Sequence, residues 1–152
     1  ALDMEREREK VGIAKWVSRK YRVSYKPTKE IVNSAFNASD IFEIDAHLII
    51  AIIAIESSFN PLAESSAGAQ GLMQIMPKIH KKKFEKYGGF ANILEVRTNV
   101  FVGTEILSNY YRRYGSYRRA LLAYVGVRQS SKSRYPDKVL RIQKRLKKMV
   151  RG

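Results

Sequence analysis

Glu56 is the residue best placed by its sequence context to carry out acid–base chemistry. It follows residues 46–55, where His47 is the only polar side chain, and so falls in the last turn of a helix that should be buried. Burial and the negative end of the helix dipole both disfavour a charged carboxylate, and both raise its pKa. A carboxyl kept protonated in a dry site can act as a general acid, as cleavage of a glycosidic bond requires. Position alone leaves open a plainer alternative, a glutamate turned to solvent or paired with an arginine.

A continuous motif begins at this glutamate. From Glu56 to Pro77 the sequence is ESSFNPLAESSAGAQGLMQIMP. This run of 22 residues closely resembles the signature of the lytic transglycosylases with a soluble-type (SLT) catalytic domain, glycoside hydrolase family 23. The resemblance continues more loosely over about residues 25–135, where it includes Asn99 with Gly103 and Tyr124 with the alanine before it.

The resemblance implies a reaction and a role for Glu56. Enzymes of this family cleave the β-1,4 bond between N-acetylmuramic acid and N-acetylglucosamine in peptidoglycan. Their catalytic glutamate protonates the glycosidic oxygen and then acts as a base on the muramoyl 6-hydroxyl, which gives a 1,6-anhydro product without consuming water. Glu56 matches that glutamate. A single carboxyl that gives a proton and takes one back is consistent with general acid–base catalysis.

Five other positions match residues of the family's site. The resemblance implies that Ser65 lies near the substrate's N-acetyl group, and that Gln74 and Met76 line the cleft beside the glutamate. Asn99 is expected among the substrate-binding residues, and Tyr124 is expected to orient the catalytic carboxyl by a hydrogen bond. Structural alternatives stay open: Ser65 could be a turn hydroxyl, and Met76 or Tyr124 could belong to the core.

The sequence departs from the family pattern in two places. Where the family has Tyr-Asn-Ala-Gly, this chain has Tyr124-Val125-Gly126, which is one residue shorter and lacks the amide. Where the family has Gly-Thr after the proline, residues 78–79 are Lys and Ile, which removes a cleft hydroxyl. These changes affect the expected substrate contacts more than the reaction. Glu64, next to Ser65, is an additional carboxyl that could help to activate water or could be a solvated loop residue.

The elements that must position these residues are all predicted to be helical. Periodicity and capping signals predict a first amphipathic helix that ends near residue 21, a second that opens at Thr28 after a break at Pro27, and a central buried one over 46–59 with Asp45 as its N-cap. They also predict short helices over 71–76 and 78–87, longer ones over 94–114 and 117–124, and a last helix opened by Pro136. The predicted fold is therefore all-α. The resemblance implies a goose-type lysozyme-like domain that covers residues 1–152, with Glu56 at the base of a substrate groove.

Composition limits the other classes of function. The chain has no cysteine, and its two histidines are far apart, so we expect neither a metal nor another cofactor. The longest apolar run, residues 48–55, is too short to span a bilayer, which needs about 20 residues. The 29 lysines and arginines against 14 acidic residues favour an anionic partner. Peptidoglycan fits, because its peptides carry free carboxylates.

Rival functions and the cellular setting are also expectations at this point. One rival is a hydrolytic muramidase, and a more remote one is a non-catalytic basic protein that binds glycan or nucleic acid. We expect no nucleic acid, because the aromatic residues have the helical spacing of a core rather than forming an exposed stacking platform. The first residues become charged at once, so we do not expect them to be a signal peptide. By analogy with the family we expect a monomer in the bacterial periplasm or envelope that serves a secretion, pilus or conjugation machine.

Overall fold

The structure is a computed structural model that describes the backbone of residues 2–151 and the side chains of residues 2–149. Within that part of the chain there are seven α-helices and one 3₁₀-helix. They are α1 (Leu2–Tyr21), α2 (Tyr25–Phe42), α3 (Ala46–Ser57), α4 (Lys81–Glu85), the 3₁₀-helix (Phe90–Asn92), α5 (Val96–Tyr114), α6 (Tyr117–Tyr124) and α7 (Tyr135–Arg151). No strand forms among these residues, where the β-pairing consists of two isolated bridges that link Glu64, Gln70 and Ile75. The prediction of an all-α fold is confirmed.

Helix α3 is the centre of the core. The side chains of residues 48–53 are 0% exposed, and that of Ala54 is 4% exposed. A helix that is apolar all round has no face to offer to water and must be enclosed by its neighbours. Helices α2 and α7 pack directly against it. Each isoleucine buried in this way contributes about 1.5–3 kcal/mol, so the element that carries Glu56 is also the one that holds the fold together.

Helix α2 begins three residues earlier than predicted. It starts at Tyr25 rather than at Thr28, and Pro27 lies inside its first turn. The prediction of a break at Pro27 was wrong, because the first N–H groups of a helix have no intrahelical acceptor and a proline there loses no hydrogen bond. The preceding Ser24 has the extended backbone (φ −65°, ψ 141°) typical of a residue that caps a helix.

The segment between α3 and α4 is an ordered loop in which the predicted helix over 71–76 is absent. Gly71 has φ 82° and Gln74 has φ 51°, and neither value is compatible with a right-handed helix. The backbones of Gln70 and Ile75 instead exchange two hydrogen bonds of 3.0 Å. The helix predicted over 78–87 is confirmed only in its middle, where the short α4 forms.

The C-terminal helices follow the prediction closely. Helix α5 ends at Gly115, whose φ of 78° stops the helix, and Ser116 caps α6 by accepting a hydrogen bond from the backbone N–H of Arg119. Helix α7 begins one residue before Pro136. It runs antiparallel to α3, because Tyr135 contacts Glu56 near the end of α3 while Gln143 contacts Asp45 at its start.

Asp45 occupies the predicted N-cap position of α3, but its carboxylate does not bond to the helix N–H groups. It lies 3.0 Å from Nδ1 of His47 and accepts a hydrogen bond of 2.8 Å from the side-chain amide of Gln143. The carboxylate therefore ties α3 to α7.

Within residues 2–151, none of the helices combines the length and the apolar character needed to cross a membrane.

Candidate active site

Glu56 lies at a sharp turn that ends α3. Ser58 and Phe59, which follow Glu56 by two and three residues, have φ values of 50° and 66°. Left-handed backbone costs a non-glycine residue about 1–3 kcal/mol, and such strain gathers at functional sites. The side chain of Phe59 offsets this cost, since it is 3% exposed and its ring meets Tyr21 edge-on with centroids 5.0 Å apart. The turn takes the chain away from the helix axis and leaves the Glu56 carboxyl at the helix end.

The Glu56 carboxyl is half-buried and has a tyrosine as its hydrogen-bond partner. The hydroxyl of Tyr135, the first residue of α7, donates to Oε2 of Glu56 over 2.7 Å. Burial raises the pKa of Glu56, and the hydrogen bond from Tyr135 offsets part of that rise by stabilising the carboxylate. Burial and the adjacent Glu56 charge also raise the pKa of Tyr135, so its hydroxyl stays a donor. The arrangement suits a carboxyl that must exist in both protonation states.

Tyr124, the residue expected to orient Glu56, has a different hydrogen-bond partner. Its hydroxyl donates to the backbone carbonyl of Met73 over 2.7 Å, which fastens the loop between α3 and α4 to α6. Burial, with the nearby charge of Glu56, raises the pKa of Tyr124 well above its usual range. Tyr124 is thus close to the carboxyl but holds the loop, while Tyr135 makes the contact that the resemblance assigned to Tyr124.

Asn99 is inside the protein rather than on a groove. Its side chain is 0% exposed. Its amide accepts a hydrogen bond from the N–H of Met73 (2.8 Å) and donates to the carbonyls of Gln70 and Ile93 (3.0 Å each). All three partners are backbone groups, so Asn99 fixes the loop on α5. The expectation that it contacts substrate does not agree with this position, because a side chain enclosed in this way has no face left for a sugar.

Two glycines allow the loop to lie close to Asn99 and α5. A Cβ atom on Gly103 would come within 2.5 Å of Sδ of Met73, and one on Gly71 would come within 2.2 Å of Nδ2 of Asn99. Neither position has room for a larger residue. Gly71 also has a positive φ, which a side chain would strain.

The other predicted residues lie in the same loop. Oγ of Ser65 accepts a hydrogen bond from the N–H of Ala69 (3.0 Å), and the side-chain amide of Gln74 donates to the carbonyls of Ala63 and Gly71 (3.1 and 3.0 Å). Met76 is half-buried and Glu64 is exposed. Ser65 and Gln74 therefore hold loop backbone in place. Their contact with substrate, and that of Met76, stays a prediction, as does a role for Glu64 in activating water.

A cleft of about 950 Å³ lies at the opposite end of α3, between α1, α2 and the start of α3. Its lining includes Glu9, Asp45 and His47 but none of the predicted site residues. Among the residues described, no three histidine or acidic side chains come together as a metal site would require. The residues that the sequence predicts for the site therefore lie apart from this cleft, and the groove expected above Glu56 stays a prediction.

Sequence reasoning missed Tyr135, which is 79 positions from Glu56. A signal was present, because Pro136 marks the start of a helix and Tyr135 is the aromatic residue directly before it. The sequence alone does not reveal that α7 packs antiparallel to α3. Only that pairing brings the two residues together.

Comparison with known proteins agrees with the motif. The family model for the transglycosylase SLT domain matches residues 33–136, a span that holds Glu56, the loop and Tyr135. The transglycosylase of Enterobacteria phage PRD1 is 35% identical over 109 residues, which cover 68% of this chain and 39% of that protein. The soluble lytic murein transglycosylase of Salmonella typhimurium is 38% identical over 81 residues, which cover 50% of this chain and 13% of that protein. The chain thus spans well under half the length of these relatives.

Solved structures show the same fold. The 70-kDa soluble lytic transglycosylase in complex with bulgecin A matches with a TM-score of 0.60 at 22% identity, over 84% of this chain and 20% of that one. An inactive mutant of the lytic transglycosylase Slt from Pseudomonas aeruginosa matches with a TM-score of 0.58 at 23% identity, over 78% of this chain and 22% of that one. With the family model covering most of the sequence, the chain belongs to the transglycosylase SLT domain family.

Proposed function

We propose that the chain cleaves the β-1,4 bond between N-acetylmuramic acid and N-acetylglucosamine in peptidoglycan and leaves a 1,6-anhydromuramic acid end, with Glu56 as acid and then base. Family membership supports the class of reaction. The observation that carries the assignment to Glu56 is its half-buried carboxyl with a raised pKa at the end of α3, hydrogen-bonded to Tyr135. A carboxyl with a raised pKa keeps its proton to a higher pH and can deliver it to a leaving oxygen.

The proposed reaction balances without water or any other reactant. Protonated Glu56 gives its proton to the glycosidic oxygen as the bond from that oxygen to C1 breaks, and positive charge develops at C1. The carboxylate then takes the proton of the muramoyl 6-hydroxyl while that oxygen bonds to C1. Glu56 ends protonated, as it began. Because Tyr135 occupies Oε2, we assign the proton transfers to Oε1, and the tyrosine hydroxyl stabilises the intermediate carboxylate stage.

Digestion of purified peptidoglycan, followed by mass spectrometry of the soluble fragments, tests this proposal. Transglycosylation gives fragments lighter by one water than the reducing-end fragments of a hydrolytic muramidase. We expect the lighter fragments throughout. Reducing-end products throughout would replace the proposal with the muramidase alternative.

Matched variants test the assignment of the acid. We expect Glu56→Gln to lower the rate at least about 100-fold, the lower end of what general acid–base catalysis supplies. Glu64→Gln removes an exposed carboxyl from the same loop and separates the two roles considered for Glu64. A rate within about twofold of the unmodified chain indicates a solvated loop residue, and a larger loss indicates that Glu64 activates water. Equal clearing of peptidoglycan by Glu56→Gln and the unmodified chain would favour a non-catalytic glycan-binding protein instead.

The cellular setting is part of the same proposal. We place the activity in the bacterial envelope, where peptidoglycan is found. A single domain over residues 1–152, a monomeric state and recruitment by a secretion, pilus or conjugation machine stay predictions. The similarity to a phage transglycosylase is compatible with work inside a larger machine.

A further inference from the structure

Nearly all of the net charge of the protein comes from its last quarter. Residues 112–151 hold 14 of the 29 lysines and arginines but one of the 14 acidic residues, Asp137. Residues 1–111 hold the remaining 15 basic and 13 acidic residues and are almost neutral as a group. The formal charge of +15 is therefore concentrated on the end of α5, on α6 and α7, and on the segments that join them.

The two parts also differ in how their charges are paired. In the first part acidic residues offset basic ones across elements, as in Arg6–Asp40 (2.7 Å) and Lys29–Glu7 (2.6 Å). In the last part Arg118 and Arg134 share Asp137, and Lys147 reaches Asp45 (3.6 Å). Most of the positive charge there thus has no acidic neighbour. Like charges held together raise the energy of the folded state unless an anion offsets them.

Five of these cations lie on one side of α7. They are the exposed side chains of Lys138, Arg141, Lys144, Arg145 and Lys148, called the α7 basic face below. Their spacing of three and four residues aligns them along about 15 Å of helix. None of the five has an ion-pair partner among the side chains of residues 2–149.

The other side of α7 is turned into the core. Val139 and Leu146 are 0% exposed, and no large apolar side chain of residues 135–149 is exposed. A basic helix that inserts into a bilayer needs an apolar face directed outward, and single-stranded nucleic acid needs an aromatic stacking platform. The α7 basic face offers neither. It is suited to a polymer that carries separate negative charges and stays in water.

The position of α7 relative to Glu56 indicates which polymer this is. Tyr135, at the start of α7, touches the Glu56 carboxyl, and the α7 basic face begins three residues later. Because a helix rises about 1.5 Å per residue, the α7 basic face begins about 5 Å along the helix axis from the residue that touches Glu56, within reach of peptides that project sideways from a strand held there. We propose that the α7 basic face binds the carboxylates of the stem peptides that project from the peptidoglycan strand beside the bond being cleaved. This inference rests on the proposed function, because it takes peptidoglycan as the ligand.

The test measures binding to insoluble sacculi by co-sedimentation, in a Glu56→Gln background so that nothing is digested. The test variant replaces Lys138, Arg141, Lys144 and Lys148 with glutamine. Arg145 is left in place because its guanidinium lies over the ring of Trp16 (5.9 Å). The control variant makes the same change in net charge with glutamine at Arg8, Lys15, Arg19 and Lys26, which are exposed residues of α1 and α2.

We expect the test variant to bind intact sacculi about tenfold more weakly than the control variant in dilute buffer. The difference should disappear on sacculi from which an amidase has removed the stem peptides. It should also shrink in 1 M salt, where the Debye length is about 3 Å. Equal binding of the two variants to intact sacculi overturns the proposal, and so does an equal loss on peptide-free glycan.

Duplex DNA and anionic lipid vesicles are the competing ligands in the same assay. If the parent protein binds either more tightly than intact sacculi, and the test variant loses that binding, the surface serves the other partner and the proposal is wrong. Failure of the proposed function is separate, because the binding assay needs no turnover. If the protein binds sacculi through α7 but releases no fragments, the proposal for the α7 basic face stands and the proposed catalytic function is wrong.

Discussion

The hydroxyl of Tyr135 donates a hydrogen bond of 2.7 Å to Oε2 of Glu56 and joins the first residue of α7 to the last turn of α3. Burial of Glu56 raises its pKa, and this hydrogen bond opposes the rise. The two effects together set the pH range over which Glu56 can change between acid and base. Removing the hydroxyl oxygen of Tyr135 tests whether the hydrogen bond lowers the pKa that burial raises.

Replacing Tyr135 with phenylalanine should raise the pKa of Glu56 further, because burial is then unopposed. The alkaline limb of the kcat–pH profile, where the acid loses its proton, should move to higher pH. We also expect kcat to fall about 10- to 100-fold, since a hydrogen bond to a charged group contributes about 1.5–3 kcal/mol. Initial rates on peptidoglycan measured across pH give both values. A limb that stays in place or moves to lower pH would show that the hydroxyl does not act on the Glu56 proton.

Replacing Tyr124 with phenylalanine should have a different effect, because its hydroxyl bonds to the carbonyl of Met73 and not to Glu56. We expect a loss of stability of about 1 kcal/mol or somewhat more, measured by thermal unfolding. The alkaline limb should stay within the error of the wild-type profile. A clear movement of the limb in Tyr124→Phe but not in Tyr135→Phe would restore the role that the family resemblance gave to Tyr124.

Replacing Glu56 with glutamine should stabilise the fold at neutral pH. The folded-state pKa of Glu56 is above its unfolded value, so between the two values the folded protein binds more protons and stability falls as pH rises. Glutamine carries no charge and removes this loss. We expect Glu56→Gln to unfold at a higher temperature than wild type at pH 7, with the gap closing below about pH 4. Each kcal/mol gained raises Tm by about 2–4 °C for a chain of this size.

The outcome that contradicts this prediction is a variant less stable than wild type at pH 7. Glu56 would then be stabilised as a carboxylate by its surroundings, and the fold would not keep it protonated. Glu64→Gln is the control, because an exposed carboxyl in the same loop should leave the pH dependence of Tm unchanged.

His47 should make the docking of α1 dependent on pH. Its Nε2 lies 2.6 Å from Glu9 of α1 and its Nδ1 lies 3.0 Å from Asp45, which Lys147 of α7 also approaches. Burial opposes the charged ring, but the hydrogen bonds and charges of Asp45 and Glu9 outweigh it, and the pKa of His47 is raised. The stabilisation is therefore complete below about pH 6.5, the ordinary histidine value, and is lost as pH rises through the raised pKa.

The comparison for His47 is best made in the Glu56→Gln background, which removes the pH-dependent contribution of Glu56. His80, whose pKa is lowered chiefly by burial, contributes equally to the two proteins compared. We expect Tm of the Glu56→Gln protein to fall between pH 6 and 8.5, and we expect the added change His47→Gln to flatten the curve. The same slope with and without His47 would show that the ring is not charged in the folded protein. Asp45, whose pKa is held well below its usual range, keeps its own contribution over this whole interval.

The sequence predicted well those features that depend on local patterns. An apolar run in residues 46–55 requires an enclosed helix, and a carboxyl that stays buried at its end has a raised pKa. Gly115 and Ser116 likewise set the junction between α5 and α6 through short-range backbone chemistry. The 22-residue motif also indicated the protein family to which the chain belongs.

The features that the sequence did not predict depend on contacts between distant segments. The positive φ of Gln74 arises in a loop held by Asn99, which is 25 positions further along the chain. Tyr135 meets Glu56 only because α7 packs along α3. Tyr124 and Tyr135 both follow the motif at a distance in the sequence, and only the packing of the helices determines which hydroxyl reaches the carboxyl.

The distance of 79 residues between Glu56 and Tyr135 also determines when the acid is complete. During synthesis the chain carries Glu56 long before the residue that holds it has left the ribosome. A partly made chain, or one cut in the segment between α6 and α7, has the carboxyl without its hydrogen-bond donor. Under the proposed function, the reactive group is complete only after α7 has docked on α3.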